Sequence, residues 1–212
     1  MIIYVEGLSG SGKTTLLKSI KNNKALVVSE FIGEYGYISQ LDNKEAMKQL
    51  TAQICMKNDE AKSAEATKLN SEDTFVFVDR SYMSTLVYET SKEFMKKHKY
   101  SSIPVWDWYR NFINLIKPDL YVLIHAPSND IITRWGKAPD ISNNSLDEDA
   151  WHKDHHFVRF MYDYCFAFER EIPIMEFDNS IKINSDGIKS ERTSTELFEE
   201  VKMKLKRLGK IS

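Results

Sequence analysis

At 212 residues, 42% hydrophobic and 28% charged, the chain has the length and apolar content of one globular domain with a full core. A formal net charge of −2 supplies no overall basic field, which excludes a function resting on bulk attraction to nucleic acid or to an anionic membrane. No apolar run reaches the length of a membrane helix, and the opening MIIYVEG enters a strand pattern without a basic lead or cleavage site, so the cytoplasm is the expected compartment.

In chain order, short apolar runs alternate with longer helical periodicity, the pattern of a parallel sheet with crossover helices. IIYVE (2–6) reads as a first strand, followed by a helix from Lys13 to about Asn22. ALVVS (25–29) reads as a second strand, and 43–68 as a long helix with Met47, Leu50 and Ile54 at spacings of three and four. TFVFVD (74–79) is a third strand, with a helix of about four turns running on from Ser81. Residues 105–116 form a helix broken at Pro118, LYVLIHA (120–126) a strand, and 128–135 a helix. GKAPDISNNSLD (136–147) is a loop by composition. A helix covers 148–170, IPIMEF and IKIN are strand candidates, and a last helix starts at Thr193. Glu196 completes a capping box there, Leu197, Val201, Leu205 and Leu208 run down one face, and Gly209 stops it. With no repeat or linker, residues 1–212 are expected to form a single domain, a three-layer α/β/α arrangement around a central parallel sheet of about five strands. Cys55 and Cys165 have neither metal nor redox spacing and are expected as buried thiols.

Chemistry enters at residues 7–14, GLSGSGKT, which match Gly-x4-Gly-Lys-Thr between a strand and a helix. Gly7, Gly10 and Gly12 let the backbone turn its N–H groups inward, with Ser9, Ser11 and Thr15 completing the loop that cradles phosphate oxygens. Lys13 reaches the β and γ phosphates of ATP, and the Thr14 hydroxyl is a ligand for Mg2+. Such a site also needs an acid. His125, at the end of LYVLIH, does not suit an oxygen-seeking ion, whereas FVFVD delivers Asp79 to a strand end, followed by Arg80 to grip transferred charge. The second strand delivers Glu30 to the same edge, a carboxylate able to take a proton from a hydroxyl.

VEGLSGSGKTTLL, SEFIGEY, VDRSYMS and KPDLYVLIHAP, in this order, resemble the deoxynucleoside kinases and their relatives the thymidylate kinases over most of residues 1–136. The resemblance implies a P-loop kinase domain with a lid at about 134–150, binding ATP and Mg2+ and acting on a small-molecule nucleoside or nucleotide, and it implies a homodimer. It makes Glu30 the base on a sugar 5′-hydroxyl, places Tyr35 near the sugar and Gln53 at the base edge, and maps the acid-Arg-Ser motif onto Asp79, Arg80 and Ser81. In the lid only Arg134 fits the arginines of these families, with Lys137 as a helper, a departure from their usual several. DRSYMSTLVY also matches the thymidylate kinase pattern, so this motif does not separate the two families.

The charge pattern bears on the acceptor. A monophosphate calls for bidentate arginine, yet the first arginine of the chain is Arg80. Lys44, Lys48, Lys57 and Lys62 are assigned to the solvated face of a helix. A neutral hydroxyl needs only a carboxylate base, which favours a (deoxy)nucleoside; a nucleoside monophosphate, and a modified base or end of a nucleic acid, are the alternatives. A GTPase would need Asn-Lys-x-Asp, which is missing, and a motor ATPase a strand ending in Asp-Glu, which VDRS is not. The basic stretches FMKKHKY (94–100) and KMKLKR (202–207) read as solvated helix faces. His152, His155 and His156 have helical spacing, open either to a metal or to solvated or lid contacts. The aromatics of 157–168 point to core or a subunit interface, Arg159 to a possible phosphate contact, and INSDG (183–187) to adenine or a plain turn. Trp106 and Trp108 are expected to pack near the acceptor pocket's outer wall.

Overall fold

The apolar runs become strands because backbone polar groups buried with them must pair. In the computed structural model, which describes residues 1–8, 10–20, 24–41, 45, 50–96, 101–111, 115–127, 130, 155–183, 189–190 and 192–211, five strands make one parallel sheet. They are β1 (Ile2–Glu6), β2 (Ala25–Val28), β3 (Phe75–Asp79), β4 (Leu120–His125) and β5 (Ile174–Asp178), in the order β2-β3-β1-β4-β5. Val5 lies opposite Asp79 and Glu6 opposite Leu123, so the C-terminal strand ends share one edge. The chain crosses to one side of β1 for β2 and β3 and to the other for β4 and β5, which opens a crevice outside that edge. β1 and β3 are buried along their whole length, whereas β5, at the rim, alternates exposed and buried residues.

Helices cover both faces. On one, α2 (Ala52–Leu69), α3 (Tyr82–Lys96), α4 (Ile103–Asn111) and α5 (His155–Phe166) pack Ala66, Met83, Leu86, Trp106, Met161 and Tyr162 with Tyr4, Val76 and Val78 of the sheet. On the other, α1 (Lys13–Lys18) and α6 (Ser194–Arg207) bring Leu16, Leu17, Leu197, Val201 and Leu205 against Ile3, Val5, Phe77 and Val122. Burying each such side chain is worth about 1.5–3 kcal/mol. The three layers and the five-stranded parallel sheet are those expected from the sequence, as is the α6 capping box: Thr193 accepts from the Glu196 N–H, and Glu196 accepts from the Thr193 N–H. A two-stranded antiparallel ribbon, β6 (Lys182–Ile183) with β7 (Lys189–Ser190), comes after β5.

Several boundaries differ from expectation. The helix expected over 43–68 is broken: Glu45 is helical, but Leu50 and Thr51 are not, and the Thr51 side chain accepts from the Ile54 N–H to start a new helix at Ala52. Ahead of it, a 3-10 helix at Gly33–Gln40 buries little but Ile38. The helix expected over 105–116 starts earlier, with Ile103–Asn111 helical, 112–114 outside the described residues and 115–119 not helical. α5 ends at Phe166, with 167–170 in turns. Apart from Asp130, the expected helix 128–135, the loop 136–147 and the lid lie outside the described residues. Both cysteines are free thiols, but Cys55 is only half-buried.

One buried carboxylate ties α5 to its neighbours. Glu169, just beyond α5, accepts from the hydroxyls of Tyr82 (3.2 Å), Tyr109 (2.5 Å) and Tyr121 (2.5 Å) and pairs with Lys117. The aromatics of 157–168 divide: Tyr162 and Phe166 enter the core, while Phe160, Tyr164 and Phe168 stay exposed. Among the described residues no helix is long and apolar enough to cross a membrane.

Candidate active site

Three adjacent strand ends build the site. After β1 the chain turns through Gly7 at φ +135°, where a Cβ would lie 2.1 Å from the Ile124 carbonyl oxygen of β4, so only glycine fits. Gly10 and Gly12 are also left-handed, at φ +78° and +92°, and Gly12 caps α1. A Cβ on Gly12 would meet the Asn179 amide nitrogen at 2.4 Å; that amide donates to the Ser11 carbonyl at 2.8 Å and holds the loop from the end of β5. Ser11 is buried, and its hydroxyl has no hydrogen-bond partner among the described residues. Thr15 is exposed, and Ser9 lies outside the described residues.

Lys13 folds back over this turn, donating to the carbonyls of Gly7 (2.9 Å) and Leu8 (2.7 Å). Burial, and then the nearby Arg80 guanidinium, pull its ammonium down to about 7, against the pull of Asp79, Glu30 and Glu6. Thr14 donates to Asp79 Oδ2 at 2.7 Å, while Asp79 Oδ1 is buried with no partner among the described residues. Burial and the neighbouring Glu30 push the Asp79 carboxyl above the usual carboxylate range; Lys13, the Thr14 hydroxyl and Arg80 act in the opposite direction. A hydroxyl beside an orphaned carboxylate oxygen is a hard oxygen pair of the type Mg2+ takes.

Arg80 adopts φ +59°, a conformation that costs a non-glycine residue about 1 kcal/mol or more. Its N–H donates to the Val5 carbonyl (3.0 Å), and its carbonyl accepts from Lys62 (3.1 Å). The guanidinium is thereby turned across the strand ends, with Nε 2.7 Å from Glu30 Oε1 and Nη1 donating to Tyr88 (3.2 Å) and Ser84 (3.4 Å). Glu30 lies two residues beyond β2, and Asn58 of α2 clamps its segment by donating to the Glu30 carbonyl (2.8 Å) and accepting from the Ile32 N–H (3.2 Å). Burial works to raise the Glu30 carboxyl, but Arg80, Lys13 and Lys62 outweigh it and hold the group below its ordinary value.

The structure therefore brings Gly7, Gly10, Ser11, Gly12, Lys13, Thr14, Glu30, Asp79 and Arg80 to one edge. Tyr35 stands half-buried in the 3-10 helix. Gln53 is exposed on the first turn of α2, whose buried residues are Asn58, Asp59, Lys62, Ser63 and Ala66. Arg134, Lys137 and His152 lie outside the described residues; His155 and His156 open α5. Among the described residues no three histidine, cysteine, aspartate or glutamate side chains gather as for a metal. Arg159 is held away by Asp163 (3.2 Å) and by Glu176 of β5 (2.6 Å). Trp106 and Trp108 donate to Thr90 (2.9 Å) and to Glu60 of α2 (3.0 Å).

Two residues escaped the sequence reading. Lys62, assigned to a solvated face, is buried and ion-paired at 2.8 Å with Asp59, three residues earlier; that spacing is the local signal that was available. Glu6 is fully buried between Ser81 and Ser84, and its signal was an acid closing an otherwise apolar strand directly before Gly7.

A family model described as AAA domain matches residues 2–126, more than half of the chain, and takes in this edge from β1 to the end of β4. The chain belongs to this AAA-domain family. Among curated proteins none matches it in sequence. Solved structures share the fold of this AAA-domain protein. Deoxyadenosine kinase from M. mycoides, with products dCMP and a flexible dCDP bound, is 16% identical with a TM-score of 0.61, covering 98% of this chain and 100% of that one. The same enzyme with bound dATP is 17% identical with a TM-score of 0.54, over 84% and 91%. Thymidylate kinase from Candida albicans is 17% identical with a TM-score of 0.54, over 96% and 91%. The fold is thus the three-layer P-loop kinase type.

Proposed function

We propose that this AAA-domain protein is an ATP-dependent phosphotransferase that moves the γ-phosphoryl group of ATP to the 5′-hydroxyl of a (deoxy)nucleoside, in one P-loop kinase domain spanning residues 1–212. The observation that carries the reading is the Glu30 carboxylate, held 2.7 Å from Arg80 beside the loop that carries Lys13. Transfer to a neutral hydroxyl needs a base there, whereas a motor would carry its water-activating acid in a strand ending in Asp-Glu, and β3 ends instead on Asp79 followed by Arg80. The three deoxynucleotides bound by the fold neighbours, dATP in one structure and dCMP with dCDP in the other, support a small nucleoside or nucleotide as the substrate.

In this reading Gly7, Ser9, Gly10, Ser11, Gly12, Thr14 and Thr15 wrap the triphosphate with backbone N–H groups and the positive end of α1. Lys13 leaves its two carbonyl partners for the β and γ phosphates, whose charge restores its full protonation. Thr14 and Asp79 would hold Mg2+, which when bound neutralises phosphate charge. The acceptor enters between Glu30, Tyr35 and Arg80, with Gln53 at the base edge. Glu30, ionised because its carboxyl is held low, takes the hydroxyl proton. The oxygen then attacks in line while Arg80 spreads its fork over the shifting charge. Arg134 closes from the lid, with Lys137 as its helper.

The nucleoside is favoured over its monophosphate by the cations present. Lys62 is committed to Asp59 and the Arg80 carbonyl, and no arginine precedes Arg80 in the chain. The test is turnover with ATP and Mg2+ against separate panels of nucleosides, nucleoside monophosphates and nucleic-acid ends. Phosphorylation of nucleosides is expected. Turnover confined to monophosphates reassigns the acceptor, and turnover with water alone ends the kinase reading.

A further inference from the structure

Behind the phosphate loop lies a polar chain that the reaction itself does not use. Glu6 is fully buried in an apolar sheet, where a carboxylate persists only if its oxygens are well bonded. Oε1 accepts from Ser81 Oγ at 2.5 Å; Oε2 accepts from Ser84 Oγ at 2.5 Å and from the Tyr162 hydroxyl at 3.3 Å. Each partner leads elsewhere. Ser81 comes directly after Arg80 and also accepts from the Met83 N–H, fixing the turn into α3. Ser84 accepts from Arg80 Nη1. Tyr162, on α5, accepts from the Gly7 N–H at 3.3 Å and shares a proton with Ser84 at 3.0 Å. One carboxylate therefore touches three side chains, two at the start of α3 and one on α5, that lead to the arginine and the phosphate loop.

We propose that Glu6 is a positioning residue: through Ser84 and Tyr162 it sets the Arg80 guanidinium and the Gly7 amide relative to each other and couples α5 to nucleotide binding. The inference rests on residues 7–14 binding a nucleotide, as the proposed function also assumes. It does not depend on which acceptor is used. The buried oxygens are acceptors for three hydroxyl donors, Ser81 on Oε1 and Ser84 and Tyr162 on Oε2. An amide in place of the carboxylate supplies one acceptor and one donor, so the Ser84 side of the chain must reverse its direction. Ser84 then gives its proton to Tyr162, and the Tyr162 oxygen is shared between Ser84 and Gly7.

The experiment measures ADP affinity by calorimetry, per folded molecule, for the full chain and for Glu6→Gln, Tyr162→Phe and the double variant, with melting temperatures recorded alongside. Tyr162→Phe removes only a hydroxyl and keeps the ring that packs on Phe166. Each single change is expected to weaken ADP binding about 3- to 10-fold, the equivalent of one hydrogen bond. The double variant is expected to be no weaker than the worse single one, because both changes break the same chain. ADP affinity within about twofold of the parent in both single variants would falsify the positioning role, whatever happens to the melting temperature. Strictly additive losses refute the coupling through Tyr162. If Glu6→Gln fails to fold, Tyr162→Phe with unchanged affinity is refuting by itself. Should the parent bind ADP with these effects yet phosphorylate no nucleoside, the acceptor reading fails and the role of Glu6 stands; a parent that binds no ADP overturns both.

Discussion

Replacing Lys62 by Met removes a charge that the fold has already taken out of water. The Lys62 and Asp59 side chains are only 4% and 3% exposed, and their ion pair is 2.8 Å long. With Met at this position the chain keeps its apolar stem, but among the described residues Asp59 retains only the Thr85 hydroxyl, at 2.6 Å. Breaking a buried pair from one side costs about 3–5 kcal/mol, since the remaining carboxylate stays uncompensated. For a domain of this size that corresponds to roughly 6–20 °C in melting temperature. The Arg80 carbonyl also loses its donor, and Arg80 stands in a left-handed conformation that needs support. Chemical denaturation of Lys62→Met and of the double variant Asp59→Leu/Lys62→Met reads this directly. The double variant is expected to recover at least half of the loss, because no lone charge is left inside. A Lys62→Met variant within about 1 kcal/mol of the parent refutes the argument. So does a double variant less stable than the single one.

Glu30→Gln is expected to lower kcat by at least about 100-fold with the acceptor KM changed far less, as for a lost general base. The opposite split makes Glu30 a binding residue. Arg80→Lys replaces a fork that spans Glu30, Ser84 and Tyr88 with a single point charge, and kcat is expected to fall by about 10- to 100-fold; near-normal turnover removes Arg80 from the site. Gly12→Ala places a methyl group 2.4 Å from the Asn179 amide at φ +92°, and ADP binding by calorimetry is expected to weaken by about tenfold or more; unchanged affinity contradicts the tight loop.

The sequence was informative wherever one local rule decided the outcome. Glycines at 7, 10 and 12 ahead of Lys13 require a left-handed turn, and all three adopt it. Thr193 and Glu196 lie three apart, and their reciprocal bonds are the capping box. Apolar runs ending in Asp79 and leading to Glu30 were enough to put both acids on one sheet edge, because parallel strands share a direction. What escaped depended on partners distant in sequence or on competing local rules. The pairing of Arg159 is decided by Glu176 on another element, and no spacing on its helix announces that. Met47, Leu50 and Ile54 suggested one helix, yet the Thr51 side chain capped the Ile54 N–H and started the helix afresh. Lys62 is buried because α2 lies on a face of the sheet, and its spacing of three from Asp59 was the one local sign of that.

The gathering of phenols on Glu169 has a consequence at high pH. Burial comes first among the causes that push the hydroxyls of Tyr82, Tyr109 and Tyr121 above their ordinary value of 10.0, and the adjacent carboxylate adds to it. Folded phenols hold their protons while unfolded ones release them. The stabilisation is therefore complete below about pH 10 and drains away as alkalinity rises beyond it. These rings should stay dark at the tyrosinate absorption band until the polypeptide opens, then brighten together. The tyrosinate signal of these three rings thus follows unfolding, and early, gradual brightening by them would contradict the arrangement.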